Sequence, residues 1–155
     1  MESMSGEQFP APEAAPQAGS AQPMRIAGLD HLTLICSDLE RTTSFYRDVL
    51  GLALVNEGVN ADDPATRHFW FSTGGDQPLR LSFTEYPQMT PAAQGSGGVH
   101  HIALSVGSAD EVAAWRDYLQ QRSIPTTEVF DRDQLSSIYL RDPDGQILEF
   151  AARPA

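Results

Sequence analysis

Lysine is absent from the 155 residues, and all ten basic residues are arginine. Without a side-chain primary amine there is no Schiff-base lysine, no lysine-anchored pyridoxal cofactor and no Walker-type phosphate lysine. Cysteine is nearly absent as well. Cys36 stands alone, so it makes neither an internal disulfide nor a thiolate metal cluster, which points to a reducing compartment. Positive charge is scarce: ten basic residues face 21 acidic ones, a net charge of −11. Such a field repels phosphate backbones and anionic lipid, arguing against nucleic-acid and membrane-surface partners. No apolar run approaches the ~18 residues of a membrane span. The N-terminal stretch carries Glu2, Glu7 and Glu13 before its first basic residue, Arg25, and lacks the apolar centre of a signal peptide. These absences together predict a cytoplasmic protein.

What is present suffices for one domain. Apolar residues make up 41% of a chain whose length lets it bury roughly two-thirds of its unfolded surface. Residues 1–24 are mainly Ala, Pro, Gln, Ser and Glu, a composition that cannot offset its ordering entropy, and a disordered tail is expected there. A second soft segment, residues 88–97, leads into Gly95-Ser-Gly-Gly98 and reads as a linker. The domain proper, 25–153, therefore divides into a module of about 25–87 and another of about 98–153.

The two modules repeat each other. Gly28-Leu-Asp-His31-Leu-Thr-Leu34 aligns with Gly98-Val-His-His101-Ile-Ala-Leu104 at an offset of 70, and each alternates as a strand does. A capping-box pattern follows in both, Ser37-Asp-Leu-Glu40 and Ser108-Ala-Asp-Glu111. Helices then run through Tyr46–Leu50 and Trp115–Leu119, with Gly51 as a left-handed stop for the first. Short strands are expected near 52–58, 66–73 and 79–85, and again near 126–130, 136–141 and 146–152. The last two are joined by the turn Asp142-Pro-Asp-Gly145. The fold class is thus α+β: two paired βαβββ modules forming a cup-shaped mixed sheet with helices outside.

Alternation gives each first strand two faces. Leu32, Leu34 and Cys36 share one face while His31, Thr33 and Ile35 share the other; Ile102, Leu104 and Val106 oppose His101, Ala103 and Ser105. The wholly apolar face belongs against the helix, so the histidines belong on the concave side. In the last strand Glu149 points away from Leu148 and Phe150, and a carboxylate on such a strand is costly unless its charge is compensated. His31, His101 and Glu149 together make two histidines and one carboxylate. That set leaves open metal positions, as in non-haem Fe(II) oxygen chemistry. Taken singly, each histidine is more simply a satisfied strand residue; the matched repeat positions favour the metal reading.

These residues resemble the vicinal oxygen chelate superfamily, which includes glyoxalase I, fosfomycin-resistance proteins, bleomycin-binding proteins and extradiol ring-cleaving dioxygenases. The resemblance extends from about residue 25 to the end. It rests on Gly28–Leu34, Phe45-Tyr-Arg-Asp-Val-Leu-Gly-Leu52, His100–Leu104 and Tyr139–Glu149. Glyoxalase I-type members add a fourth ligand, a Glu on the last strand of the first half. Here that strand reads Pro78-Leu-Arg-Leu-Ser-Phe83, with Arg80 or Ser82 at the place. Extradiol dioxygenases use three ligands and carry a Tyr ten residues before the Glu, where Tyr139 stands.

Within the superfamily the chain is most similar to the hydroquinone-cleaving branch, through Asp131-Arg132, Ser137-Ile-Tyr139 and Pro143-Asp-Gly145. That branch also has a His before the second ligand and a Thr two residues after the first, places held by His100 and Thr33. It departs at Asp30, where the branch has His, and those enzymes usually have four modules. The resemblance implies an Fe(II)-dependent dioxygenase acting on O2 and a small hydroquinone- or catechol-like phenol. Tyr139, Arg132, His100 and Thr33 would serve as catalytic residues beside the metal ligands. His68 is a reserve acid or base, and Trp70 a core or cavity-wall residue. A two-module chain of this kind commonly dimerises, sometimes exchanging modules, so a homodimer is expected. The alternatives are a Mn, Ni or Zn lyase, isomerase or thiol transferase of the glyoxalase or fosfomycin-resistance type, and a metal-free drug-binding module. The lack of lysine argues against a phosphonate substrate, and retention of all three candidate ligands argues against the binding module.

Overall fold

The computed structural model of the protein describes residues 25–132 and 134–154, so the expected tail over 1–24 lies outside the described residues. The first half contains β1 (Leu32–Cys36), α1 (Leu39–Thr43) running on into a wide helical turn at Ser44–Val49, β2 (Ala53–Val59), β3 (Arg67–Ser72) and β4 (Arg80–Glu85). The second contains β5 (Ile102–Ser105), α2 (Ala109–Gln121), β6 (Phe130–Arg132), β7 (Leu135–Arg141) and β8 (Ile147–Ala152). The repeated α+β, βαβββ organisation is present in both. Among the described residues no helix is long and apolar enough to cross a membrane.

Each half folds into a four-stranded mixed sheet, ordered β1-β4-β3-β2 and β5-β8-β7-β6. In both, the first strand runs parallel to the last and the remaining pairs are antiparallel. The first strand of each half is therefore an edge, hydrogen-bonded on one side only.

Local chemistry explains where the elements start. Ser108 caps α2, its hydroxyl accepting from the Glu111 N–H at 3.2 Å, while the Glu111 carboxylate accepts from the Gly107 N–H at 2.9 Å. In the first half the cap falls one residue later than expected: Asp38, not Ser37, accepts from the Arg41 N–H at 3.0 Å. Ser37 is drawn away by Asp144, to which its hydroxyl donates. Gly51 ends the wide turn in the left-handed region, φ +78°, as its position after Leu50 suggested. The strand expected at 126–130 is displaced to Phe130–Arg132. Thr126 makes only an isolated bridge to Leu140, and the Thr127 hydroxyl accepts the Tyr139 N–H at 3.0 Å in place of a strand carbonyl.

The helix-facing sides of both sheets join one hydrophobic core, which includes Leu39, Tyr46, Phe71, Phe83, Val112, Leu119, Ile138, Leu148 and Phe150. Aromatic packing is dense: Tyr46 lies 4.7 Å from Phe83 between ring centroids, and Trp115 lies 5.0 Å from Phe150. The halves are clasped on this helical side. The Tyr46 hydroxyl donates to Asp142 Oδ2 at 2.9 Å, Arg41 pairs with Asp144 at 2.9 Å, and the Tyr118 hydroxyl donates to the Val49 carbonyl at 3.0 Å. The opposite sides stay open. Along β1, Thr33 and Ile35 are exposed between half-buried Leu32 and Leu34; along β5, Ala103 and Ser105 are exposed between half-buried Ile102 and Leu104.

The buried Tyr46–Asp142 bond is a test of the clasp. Tyr46→Phe keeps the ring and deletes the donor, so urea unfolding should show a loss of about 1–3 kcal/mol. An unchanged unfolding midpoint would contradict the role assigned to this bond.

Candidate functional site

On the concave face of the second sheet, three expected site residues come together. Glu149 is central in β8, in register with Ala103 on β5 and Tyr139 on β7. The Tyr139 hydroxyl donates to Glu149 Oε1 at 2.7 Å, and Glu149 Oε2 lies 3.0 Å from His101 Nε2. Burial pushes the Glu149 carboxyl upward, but hydrogen bonds from Tyr139 and Ser137 and the His101 charge outweigh it, holding the group below its usual range. The site therefore holds a buried, ionised carboxylate, only 4% exposed.

His100 behaves differently from the strict alternation of the sequence, which directs it toward the helix layer. Both histidines precede β5, which begins at Ile102, so the pleat does not govern them. His100 Nδ1 lies 2.8 Å from His101 Nδ1. His101 turns Nε2 toward Glu149 Oε2, to which that nitrogen donates, so Nε2 is the ring nitrogen facing the carboxylate. Arg132 is exposed at the end of β6, its guanidinium 5.0 Å from the Phe130 ring centre; Phe130 in turn lies 6.0 Å from Tyr139.

His31 stands on the other sheet, just before β1. Its Nδ1 lies 2.7 Å from Asp30 Oδ2, and its ring packs edge-on against Trp70 at 4.9 Å. Asp30, which looks like a departure from the hydroquinone-cleaving pattern, thus supplies the carboxylate that orients this histidine, and Arg80 donates to its other oxygen at 3.2 Å. Thr33 shares a 2.8 Å hydrogen bond with Ser82, which pairs with it in the β1–β4 register. Neither Arg80 nor Ser82 offers a carboxylate at the place of a fourth ligand. His68, on β3, lies 5.3 Å from Trp70; burial and the His31 charge lower its pKa, which favours the neutral ring.

Within one chain the three candidate ligands do not form one group. Among the described residues no cluster of three or more His, Cys, Asp or Glu side chains is close enough to hold a metal ion. The His101–Glu149 pair alone is suitably shaped: two donors at right angles, each about 2.1 Å from an ion, stand about 3.0 Å apart. The sequence singled out Ser137 only within a motif and Trp70 only as a core or cavity-wall residue; the effect of Ser137 on Glu149 and the packing of Trp70 on His31 were not foreseen. Both were legible only through register, since Ser137 shares Tyr139's face of β7 and Trp70 pairs with Ser82.

Residues 28–150 match the family model described as the glyoxalase/bleomycin resistance protein/dioxygenase superfamily. The chain is 33% identical over 131 residues to "Putative ring-cleaving dioxygenase MhqO" of Bacillus subtilis, a match covering 83% of this chain and 41% of that protein. It is 28% identical over 134 residues to the iron-dependent extradiol dioxygenase of Rhodococcus jostii, covering 79% of this chain and 42% of the relative. It is 29% identical over 126 residues to the metallothiol transferase FosB of Staphylococcus epidermidis, covering 80% of this chain and 82% of the relative. The chain thus spans about two-fifths of the ring-cleaving relatives but most of the thiol transferase.

The Tyr139 hydroxyl helps hold Glu149 ionised, so removing it should raise the Glu149 pKa. A depressed carboxylate adds stability above its unfolded value, near 4.5, and loses that contribution as pH falls through the folded value. Tyr139→Phe should therefore shift the Glu149 carboxyl titration, followed by 13C NMR, to higher pH. It should also lower stability near neutrality relative to the parent. A titration that does not move would show that Tyr139 does not govern this charge.

Proposed function

The chain belongs to the glyoxalase/bleomycin resistance protein/dioxygenase superfamily, and from that premise we propose that it is an Fe(II)-dependent dioxygenase that opens the ring of a small hydroquinone- or catechol-like phenol. The observation that carries this reading is the His101 Nε2–Glu149 Oε2 pair, whose 3.0 Å span suits two adjacent positions of one ion. His31 completes the proposed donor set.

A homodimer reconciles that set with a single chain that keeps His31 apart. The open edges of β1 and β5, with exposed Thr33, Ile35, Ala103 and Ser105 beside them, are suited to pairing with a second copy. In the dimer each site takes His101 and Glu149 from one chain and His31 from the other. What iron supplies when bound is redox capacity at the positions the protein leaves open.

The chain's own groups do the rest. Tyr139, already donating at 2.7 Å, holds a proton beside the site and can pass it to a substrate oxygen. His100 fixes the ring of His101, as Asp30 fixes that of His31, so both present Nε2. Thr33, bonded to Ser82, and Arg132, at the rim beside Phe130, position the phenolic oxygen and offset its negative charge.

A second reading is favoured by size. The match to FosB covers 82% of that enzyme, whereas the dioxygenase matches cover about two-fifths of theirs. A Mn, Ni or Zn thiol transferase or related Lewis-acid enzyme would use the same donors.

Protein purified anaerobically without chelator should carry near-stoichiometric iron by elemental analysis and consume oxygen with hydroquinones or catechols. His101→Ala and Glu149→Ala should each cut metal content at least tenfold and abolish oxygen uptake. Manganese, nickel or zinc in place of iron, with turnover of thiol and epoxide substrates, would replace the dioxygenase by the second reading. No metal even after reconstitution would overturn both.

A further inference from the structure

Among the described residues of the second sheet, Phe130 is the one large apolar side chain left exposed, at 38%. A single exposed ring is ordinary on a protein surface. Its register gives this one a role.

Phe130 pairs with Ser137, Ser137 with Ala151, and Ala151 with Ser105, so the four form one row across the sheet. Residues paired in this way share a face. Ile138 and Phe150, which alternate with Ser137 and Ala151, enter the core, so the row lies on the concave side. The neighbouring row on that side is Tyr139, Glu149 and Ala103, which carries the candidate metal site. Short side chains beside the ionised carboxylate leave a trough. Ser137 is 1% exposed, so the open floor begins at half-buried Ala151 and runs on to exposed Ser105. Phe130, on the outer strand β6, stands at the closed end.

The ring is held in place there. Tyr139 is its diagonal neighbour across the β6–β7 pair and meets it edge-on at 6.0 Å. The Arg132 guanidinium lies over it, 5.0 Å from its centre. Two strand steps separate Phe130 from Glu149, about 10 Å at the usual strand spacing. A substrate ring packed on Phe130 at the ~4.5–7 Å centroid separation of aromatic pairs fills most of that span. One ring with a short substituent fits, and a second ring does not.

We propose that Phe130 is a specificity-determining residue of the candidate site, the end wall that limits the substituent a phenolic substrate carries away from the metal donors. The inference rests on the dioxygenase reading and deepens it. Cutting the wall back lengthens the trough, which weakens the grip on a small phenol and admits a bulky one.

The test is anaerobic equilibrium dialysis of the full, iron-loaded chain with methylhydroquinone and with phenylhydroquinone, followed by oxygen uptake on the same two phenols. The parent should prefer methylhydroquinone by at least tenfold. Phe130→Ala should weaken methylhydroquinone binding about tenfold and tighten phenylhydroquinone binding, reversing the preference. KM should follow these changes while kcat for methylhydroquinone stays within about twofold. Phe130→Tyr should keep the parental order. Iron content and circular dichroism should match the parent in each variant; if Phe130→Ala fails that check, Phe130→Leu is read in its place, with a smaller shift in the same direction. The proposal is overturned by a preference that is the same in the parent and in a folded, iron-bearing variant, even if oxygen uptake is normal. Phenols bound with the expected preference but without oxygen uptake would sink the dioxygenase reading and leave the wall standing. A parent that binds neither phenol would overturn both.

Discussion

A carboxylate buried in the middle of a strand has to be compensated, and much of the second half is arranged to compensate Glu149. Isolated, a buried charge of this kind costs more stability than a domain has to spare. Tyr139 donates to one oxygen and His101 sits 3.0 Å from the other, so the group stays ionised at 4% exposure. Each partner reaches Glu149 through register: Tyr139 is its direct cross-strand neighbour, and His101 lies just before the parallel strand β5. The result is a preorganised pair of the kind that the proposed metal site requires.

The remaining candidate ligand is placed by the same repeat on a different sheet. The core, the Tyr46–Asp142 bond and the Arg41–Asp144 pair all tie the halves together on their helical sides. That clasp turns the two concave faces outward and leaves β1 and β5 as unpaired edges. Both edges and Ile35 lie open in the single chain, and in the proposed dimer one pairing with a second copy would cover the edges and bring His31 to Glu149.

The repeat, the α+β class and seven of the eight strands could be read from alternation and turn chemistry, because both first strands and the Asp142–Gly145 turn obey local rules. Errors arose where a distant side chain intervened. Asp144 takes Ser37 from its capping role, and the Thr127 hydroxyl replaces a ladder bond and delays β6. The convergence of His101, Glu149 and Tyr139 was legible from strand faces. The Asp30–His31 pair and the placement of Trp70 were not, since each depends on rotamers and on a register that one sequence does not reveal. Nor could spacing say that the clasp lies on the helical side, which decides whether His31 meets Glu149 of its own chain.

In the proposed dimer the metal centre is shared between two copies, and subunit mixing puts that sharing to the test. His31→Ala and Glu149→Ala chains are each expected to be inactive alone. Co-refolded in equal amounts, they should form mixed dimers in half of cases, each with one intact site, restoring about a quarter of the parent's metal content and activity. Recovery to that level supports a shared centre. No recovery from demonstrably mixed dimers would contradict it and return all three ligands to a single chain.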